Sequence, residues 1–507
     1  MTLNHSAPTI GAGQRRWALA LCLAGFVIQL DVTIVNVALP TIRHQLQATP
    51  DALEWIISGY ALGLAALIPL MGALGDRVGH RSILSAGLFA FGLCSAGAAL
   101  APSSAVLVGA RIGQGVGGAA ILALTLAVLT DIYPPRQRGH AIGWWAAIGG
   151  VGFGAGPIIG GLLLSVFGWS TIFWANLPIL ALTVSLILLT VPRASATSDP
   201  RPLDVHGVVL ASVGLAAVSF GLISATDAPW EPARTLVPLV VGALLLAAFV
   251  QWQRRAPDPL VPRAVRGSSA FIGACIIYFT SYVAFSGTLY YVTLMFQNLL
   301  GWSALHTGLS WLLMNAPFLL AAQAAGKLSQ RFAPRTVVTA GCAAGALGVA
   351  ALSTLAPTTP FVVAGVGYLI AGVGFGLLVP GITNVAMRDI PAQVAGSASA
   401  VLNSSRQLGT AAGLVLIGAT GAAATRRSWS TSRLGHTHSF SGSVTTGNLH
   451  ALPTHLQTTA STAFETGYHV ALVVCVASLL AAAWLSLKAL RQPTPQTVAA
   501  GVKEPSL

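Results

Sequence analysis

Charge is what this 507-residue sequence has least of: Asp, Glu, Lys and Arg together make up 8% of it, where a soluble domain carries about a quarter. So few ionised groups cannot build a water-facing surface for a chain of this size, which excludes a soluble enzyme. Cysteine is scarce too. Cys22, Cys94, Cys275, Cys342 and Cys475 each stand alone in an apolar stretch, with no CxxC and no ligand spacing, so they read as small packing residues. The phosphate-loop pattern GxxxxGK[ST] is missing. Its nearest approach, AAQAAGKLS, lacks the first glycine and the hydroxyl after lysine, which argues against an intrinsic ATPase. The formal charge of +13 comes from basic residues scattered in twos and threes, with no stripe or patch for nucleic acid.

Hydrophobicity is abundant, at 54% apolar residues and a mean hydropathy of +0.76. A membrane span needs about 20 mostly apolar residues. Breaking the chain at charged or Pro/Gly-rich interruptions gives fourteen such segments, at 17–39, 53–74, 82–100, 104–129, 140–164, 170–190, 206–224, 235–252, 269–295, 307–325, 336–355, 361–386, 395–421 and 468–488. They are called spans 1 to 14 below. Span 1 carries Asp31, ends at Pro40 and has no small-residue cleavage site, so it is read as a retained span and not a signal peptide. With these spans, 19 Lys and Arg residues fall in connections on one side and 5 on the other, while Arg111 and Arg406 lie within spans. That bias places both termini, residues 1–16 and 489–507, in the cytoplasm. The expected location is the cytoplasmic membrane. The stretch 422–467, rich in Ser, Thr, Gly and His, reads as a flexible extracytoplasmic loop, and His436, His438, His450 and His455 as solvated rather than metal-binding.

An ionisable group at membrane depth is expensive and therefore a functional candidate. Asp31 is the one acid well inside a span. At about 1.5 Å per residue it lies about 12 Å below the outer end of span 1, and Arg111 lies about 10 Å into span 4, so the two can sit level. The pair is either a fixed ion pair or a carboxylate that changes protonation beside an arginine that biases it. Gln29 and Asn36 make part of span 1 polar. Arg111, Gln114 and Gly115 share a face of span 4, and Asn403, Arg406 and Gln407 repeat that spacing in span 13. Arg406 is either a structural anchor or a functional charge near the midplane. In span 5, Gly152, Gly156 and Gly160 recur every fourth residue beside Pro157. This is either ordinary close packing or a sliding seam between half-bundles.

Four stretches together resemble motifs of the major facilitator drug/proton antiporters. They are LDVTIVNVALP (Leu30 to Pro40), GALGDRVGHRS (Gly72 to Ser82), LVGARIGQGVGGAA (Leu107 to Ala120) and GGVGFGAGPIIGG (Gly149 to Gly161). Fourteen spans point to that family's fourteen-span branch of multidrug and antibiotic exporters. A weaker echo of the loop motif, GKLSQRFAPR (Gly326 to Arg335), follows span 10 and is read as having Ser329 in place of the acid. The resemblance implies an all-α membrane protein with the major facilitator fold. Two six-helix bundles, residues 17–190 and 269–488, would flank an inserted helix pair at 206–252. It assigns proton coupling to Asp31 and Arg111, gating to the loop of Gly72, Asp76, Arg77, Gly79 and Arg81, and exchange mechanics to Gly156 and Pro157. Asp76 is expected to pair across the half-bundle interface, with an arginine or a helix N-terminus, in one state only.

The function expected is proton-coupled export of lipophilic drugs or antibiotics by alternating access, without cofactor or metal, by a monomer in lipid. With one membrane acid, a proton is favoured over sodium as the coupling ion. A proton-linked importer of a small amphipathic solute is the alternative, since direction is not written in the motifs. A lipid-modifying enzyme, the competing class, would need paired carboxylates, a metal cluster or a nucleophile beside a base within the spans, and none is visible. The cavity is expected to draw on Gln29, Asn36, Gln114, Tyr282, Tyr290, Trp311, Asn315, Asn403 and Arg406. Asp31, Arg111 and Arg406 sum to +1 with the aspartate ionised, so neutral, monovalent or weakly acidic molecules should be handled better than dications.

Overall fold

The computed structural model describes residues 12–191, 202–227, 232–432, 441–447 and 452–490. No strand occurs among them, and fourteen helices are long and apolar enough to cross a membrane. Every backbone donor and acceptor in lipid must be satisfied within its own segment, so a chain this apolar folds as helices. Each of the fourteen overlaps one of the spans read from the sequence, which run past the helix ends at spans 3 and 11 and begin one residue early at span 6. Span 1 is a single helix, Ala12–Gln45, that continues through Pro40 instead of stopping there. Spans 2 to 5 are Pro50–Val78, His80–Ala99, Ser104–Ile132 and Pro135–Phe167. Span 6, Thr171–Thr190, is interrupted at Ala175. Spans 7 and 8 are Val205–Asp227 and Pro232–Arg255. Span 9 is Ser269–Leu299, closing in a π-helical turn, and span 10 joins Ala304–Ser310 to Leu312–Arg331. Spans 11 and 12 are Pro334–Leu352 and Phe361–Met387.

Spans 13 and 14, Ala395–Thr431 and Thr454–Ala489, correct the reading of 422–467 as a flexible loop. Both helices run well into that stretch. Trp429 packs there with Val444, Leu452, Leu456, Ala460 and Ala463 in a small apolar core of its own. A Ser/Thr-rich composition hides this because the hydroxyls bond back to the preceding turn, as Thr431 does to Arg427 and Thr462 to Thr458. His436, His438 and His450 lie outside the described residues, as do residues 1–11 and 491–507 of the two termini.

Spans 1–6 and 9–14 form two six-helix bundles; span 7 packs over the line where span 2 meets span 13, and span 8 packs on span 7. Asp204 staples the inserted pair. Its carboxylate caps span 7 through Gly207 N (2.8 Å) and accepts from Trp252 Nε1 (2.8 Å), Gln253 Nε2 (2.8 Å) and Leu260 N (3.1 Å).

The halves touch along two seams. In one, Gly72 of span 2 crosses the start of span 13 so closely that a Cβ there would lie 2.6 Å from Gly396 O. In the other, span 5 crosses span 10, where a Cβ on Gly326 would lie 2.7 Å from Gly139 O. Gly72 and Gly326 open the loop motif and its echo, so the internal repeat appears as two equivalent crossings. Both lie at the end of the molecule that carries most of the arginines.

Candidate functional site: a sealed ion pair beside a central cavity

Arg111 and Asp31 meet, as their calculated depths require, but within a larger polar cluster. Arg111 Nη1 donates to Asp31 Oδ2 (2.5 Å) and to Gln114 Oε1 (2.9 Å), and its Nε donates to Ile56 O (3.0 Å). Asp31 Oδ1 accepts from Asn176 Nδ2 (2.9 Å) and Gln114 Nε2 (3.4 Å). Both amides also donate to Ser95 Oγ, which passes its own proton to Phe173 O. The guanidinium lies 4.4 Å from the Tyr60 ring centroid. Asp31 is 0% exposed and Arg111 2%, a depth at which an ion pair persists only when its remaining donors and acceptors are satisfied. Ser95 and Asn176 were not anticipated from the sequence. Asn176 was the detectable one, as the only side-chain amide in span 6.

Between the halves lies a cavity of about 270 Å³. Of the residues expected to shape it, Gln29, Arg111, Tyr282, Asn315 and Arg406 line it. Asp31 and Gln114 do not; they stand behind Arg111, in the cluster. Four further expectations need correcting. Asn36 is exposed, on the face of span 1 that carries Gln29 and Val32 but beyond the cavity lining. Tyr290 is 37% exposed and edge-on to Tyr291, because it lies one position past Leu289, the residue on that turn that faces inward. Trp311 packs on Tyr368, with ring centroids 5.1 Å apart. Asn403 is buried at the span 4 crossing, where its Nδ2 donates to Leu122 O (3.1 Å). Seven aromatic residues of the wall were unanticipated: Tyr60, Trp145, Phe153, Tyr278, Phe285, Phe318 and Phe375. Aromatic residues are too common in apolar spans to signal a cavity from sequence.

The gating loop shares its work among its residues. Asp76 reaches across to the N-terminus of span 13, accepting from Gly396 N (2.7 Å), Ser397 N (2.8 Å) and Ser397 Oγ (2.5 Å). A carboxylate on the first free N–H groups of a helix is favoured by bond and by dipole. His80 stands between Asp76 Oδ1 (2.8 Å) and Asp131 Oδ2 (2.6 Å). Both ring nitrogens can donate at once only as imidazolium. Gly79 joins spans 2 and 3 at φ +105°, a conformation that side chains with a Cβ rarely adopt. Arg77 donates to Ala73 O and to Pro202 O of the connection to span 7, and Arg81 donates to Leu188 O of span 6. In the echo, aligning Gly326 with Gly72 in register puts Gln330, not Ser329, at the position of Asp76, which corrects the reading of Ser329 there.

Of the two readings of the span 5 glycine stripe, the structure agrees with close packing and not with the seam between halves. Gly152, Gly156 and Gly160 face Phe26, Thr33 and Ile34 of span 1, inside the same half. The seam with span 10 uses the other face, where Gly139, Gly143, Gly150, Gly154 and Pro157 meet Gly326, Ala322, Phe318, Asn315 and Gly308. Spacing had identified a close-packing face without naming its partner.

Two six-helix halves around a polar-edged cavity, with a charge pair at its wall, define a membrane transporter. Residues 21–414 match the Major Facilitator Superfamily, and the chain belongs to that family. It is 33% identical over 415 residues to the tetracenomycin C resistance and export protein of Streptomyces glaucescens, covering 81% of this chain and 77% of that one. It is 34% identical to the methylenomycin A resistance protein of Streptomyces coelicolor, covering 81% and 86%. The crystal structure of the human organic anion transporter MFSD10 superposes with a TM-score of 0.65 at 16% identity, covering 93% and 99%. At that identity the likeness is one of fold alone.

Proposed function

We propose that this chain exports lipophilic drugs or antibiotics across the cytoplasmic membrane in exchange for protons, by alternating access, with both termini in the cytoplasm. The names of its resistance and export relatives support the cargo class. The observation that carries the coupling is that one guanidinium belongs to both sites: Arg111 lines the cavity and holds Asp31 behind it. Protonation of Asp31 removes the counter-charge of Arg111 and loosens the cluster between spans 1 and 4. Loss of the proton restores it. In the state described here the arginine-rich end is shut by Asp76 on span 13 and by the two glycine crossings, so the cavity serves the opposite compartment. Opening the other way breaks those contacts, and the membrane potential supplies about 2.3 kcal/mol per charge per 100 mV.

The test is accumulation of a fluorescent cargo in cells expressing the protein, with and without an uncoupler, for the native chain and Asp31→Asn. Low accumulation that the uncoupler raises, and that Asp31→Asn raises to the same level, is the expected result. Uncoupler-sensitive export surviving in Asp31→Asn removes the coupling role of Asp31.

A further inference from the structure

The cavity holds a charge that the coupling cluster does not use. Arg406 of span 13 lines it, is 8% exposed, and forms no salt bridge with any described residue; its Nε makes no hydrogen bond. Its guanidinium carbon lies 5.6 Å from the Tyr282 ring centroid, a contact that offsets only part of the cost of taking a cation out of water. No lining residue is an acid, because Asp31 is sealed behind Arg111. The remaining polar lining is neutral: Gln29, Ser286, Asn315, Gln407 and Thr410. Tyr60 Oη and Trp145 Nε1 also lack partners but are buried against Gly118 and Gly25, so the rings and not these donors face the cavity. The cavity therefore presents one positive charge without a counter-ion beside aromatic side chains, with no carboxylate to receive a cation.

Resting on the export reading above and narrowing its cargo, we propose that the preferred cargo is a flat aromatic monoanion whose acidic group pairs with Arg406 while its ring stacks on Tyr282 and Phe285. Burial makes a charge-assisted pair far stronger than it is in water. One unpaired guanidinium sets the cargo charge at one. A cation would meet Arg406 with nothing to offset it, so exclusion comes from the same residue. The sign of the charges also bears on exchange. Protonating Asp31 frees a second positive charge at the wall, which attracts an anion instead of expelling it. Exchange then rests on which conformations the open and closed Arg111 cluster permits, not on competition of charges.

The test is equilibrium binding to the purified full chain in detergent or nanodiscs. The probe is one aromatic dye in three forms: the sulfonate, the neutral sulfonamide, and an amide carrying a quaternary ammonium. The native chain should bind the sulfonate at least tenfold more tightly than the cation. Arg406→Gln should weaken the sulfonate tenfold or more while changing the sulfonamide less than twofold, and Arg406→Lys should recover part of the loss. Equal weakening of sulfonate and sulfonamide in Arg406→Gln, or native preference for the cation, overturns the proposal. Because no gradient or transport is involved, failure here leaves export and proton coupling standing, and failure of the Asp31 experiment leaves this binding result unaffected.

Discussion

Arg111 in the first half donates to a carboxylate, an amide and a backbone carbonyl. Arg406 in the second half faces a ring and has no carboxylate. The same contrast recurs at the arginine-rich end. There the first half sets Asp76, His80 and Asp131 in a row, while its repeat has a neutral glutamine at the equivalent of Asp76. The two halves share a fold but divide the electrostatics. One carries charges in compensated sets that can be opened and closed; the other carries a lone charge whose complement must come from outside. Fixed charge pairs suit switching, since each has a partnered and an unpartnered state, whereas an unpaired charge suits recognition.

The largest expected effect breaks this comparison if it fails. Arg111→Met leaves Asp31 buried without its cation and should cost about 3–5 kcal/mol of stability. Arg406→Met removes a buried charge that lacks a partner, and its stability should be unchanged or raised. Denaturation of the two purified variants beside the native chain reads both. An equal loss in each would mean that Arg406 has a structural role matching that of Arg111.

A second effect concerns the closed end. Asp76→Ala removes three hydrogen bonds to span 13, each to a charged acceptor. The loss should disfavour the closed arginine-rich end by about 1.5–3 kcal/mol, a shift of roughly 10- to 100-fold in the ratio of states. Distances between spin labels on spans 2 and 13 at that end should lengthen. Gln330→Ala, at the repeat position, should leave the corresponding distances between spans 5 and 10 unchanged.

These contrasts mark how far the sequence can be read. The fourteen spans are legible because lipid demands unbroken apolar helices, and the Asp31–Arg111 meeting because helical rise converts position into depth. Arg111 and Gln114 were placed on one face by their spacing, and they bond. Partners are harder than faces. The stripe of Gly152, Gly156 and Gly160 was visible as a stripe, but nothing in its period says whether span 1 or span 10 lies against it. Tyr290 and Trp311 illustrate a further limit, since one residue of helical rotation decides between cavity and surroundings, and apolar neighbours on all sides erase the pattern that would fix the rotation.

The two faces of span 5 can be separated by substitution, with a smaller effect. On Gly156 a Cβ would lie 1.9 Å from Thr33 Oγ1 and 3.0 Å from the Ile34 backbone nitrogen. Thr33 is held in turn by a bond to Phe153 O (3.0 Å). Gly156→Ala should therefore cost about 1–3 kcal/mol, because backbone must move. On Gly154 the obstacle is Asn315 Nδ2 at 2.3 Å, the end of a side chain that can turn aside. Gly154→Ala should melt within a degree or two of the native chain. A reversed order would return the inter-half seam to the 152/156/160 face.

Asp204 supplies the smallest effect and a control for Asp31, since it is a carboxylate held entirely by neutral donors. Burial works to raise its pKa, but the bonds from Trp252, Gly207, Gln253 and Leu260 outweigh burial and hold it below the usual carboxylate range. A folded pKa below the unfolded one contributes stability that is complete at neutral pH and fades as pH falls through the folded value. Asp204→Asn keeps one acceptor oxygen and loses the charge, so at pH 7 it should cost about 1–2 kcal/mol. The gap between native and variant melting temperatures should close on acidification below the ordinary carboxylate pKa. Replacement by Asn of Asp31, whose main partner is a cation, leaves Arg111 charged and buried without its counter-ion, so at pH 7 it should cost more than Asp204→Asn. Equal losses at pH 7 for Asp31→Asn and Asp204→Asn would mean that the charge of Arg111 contributes nothing to holding Asp31, and the division of labour between the halves would lose its physical basis.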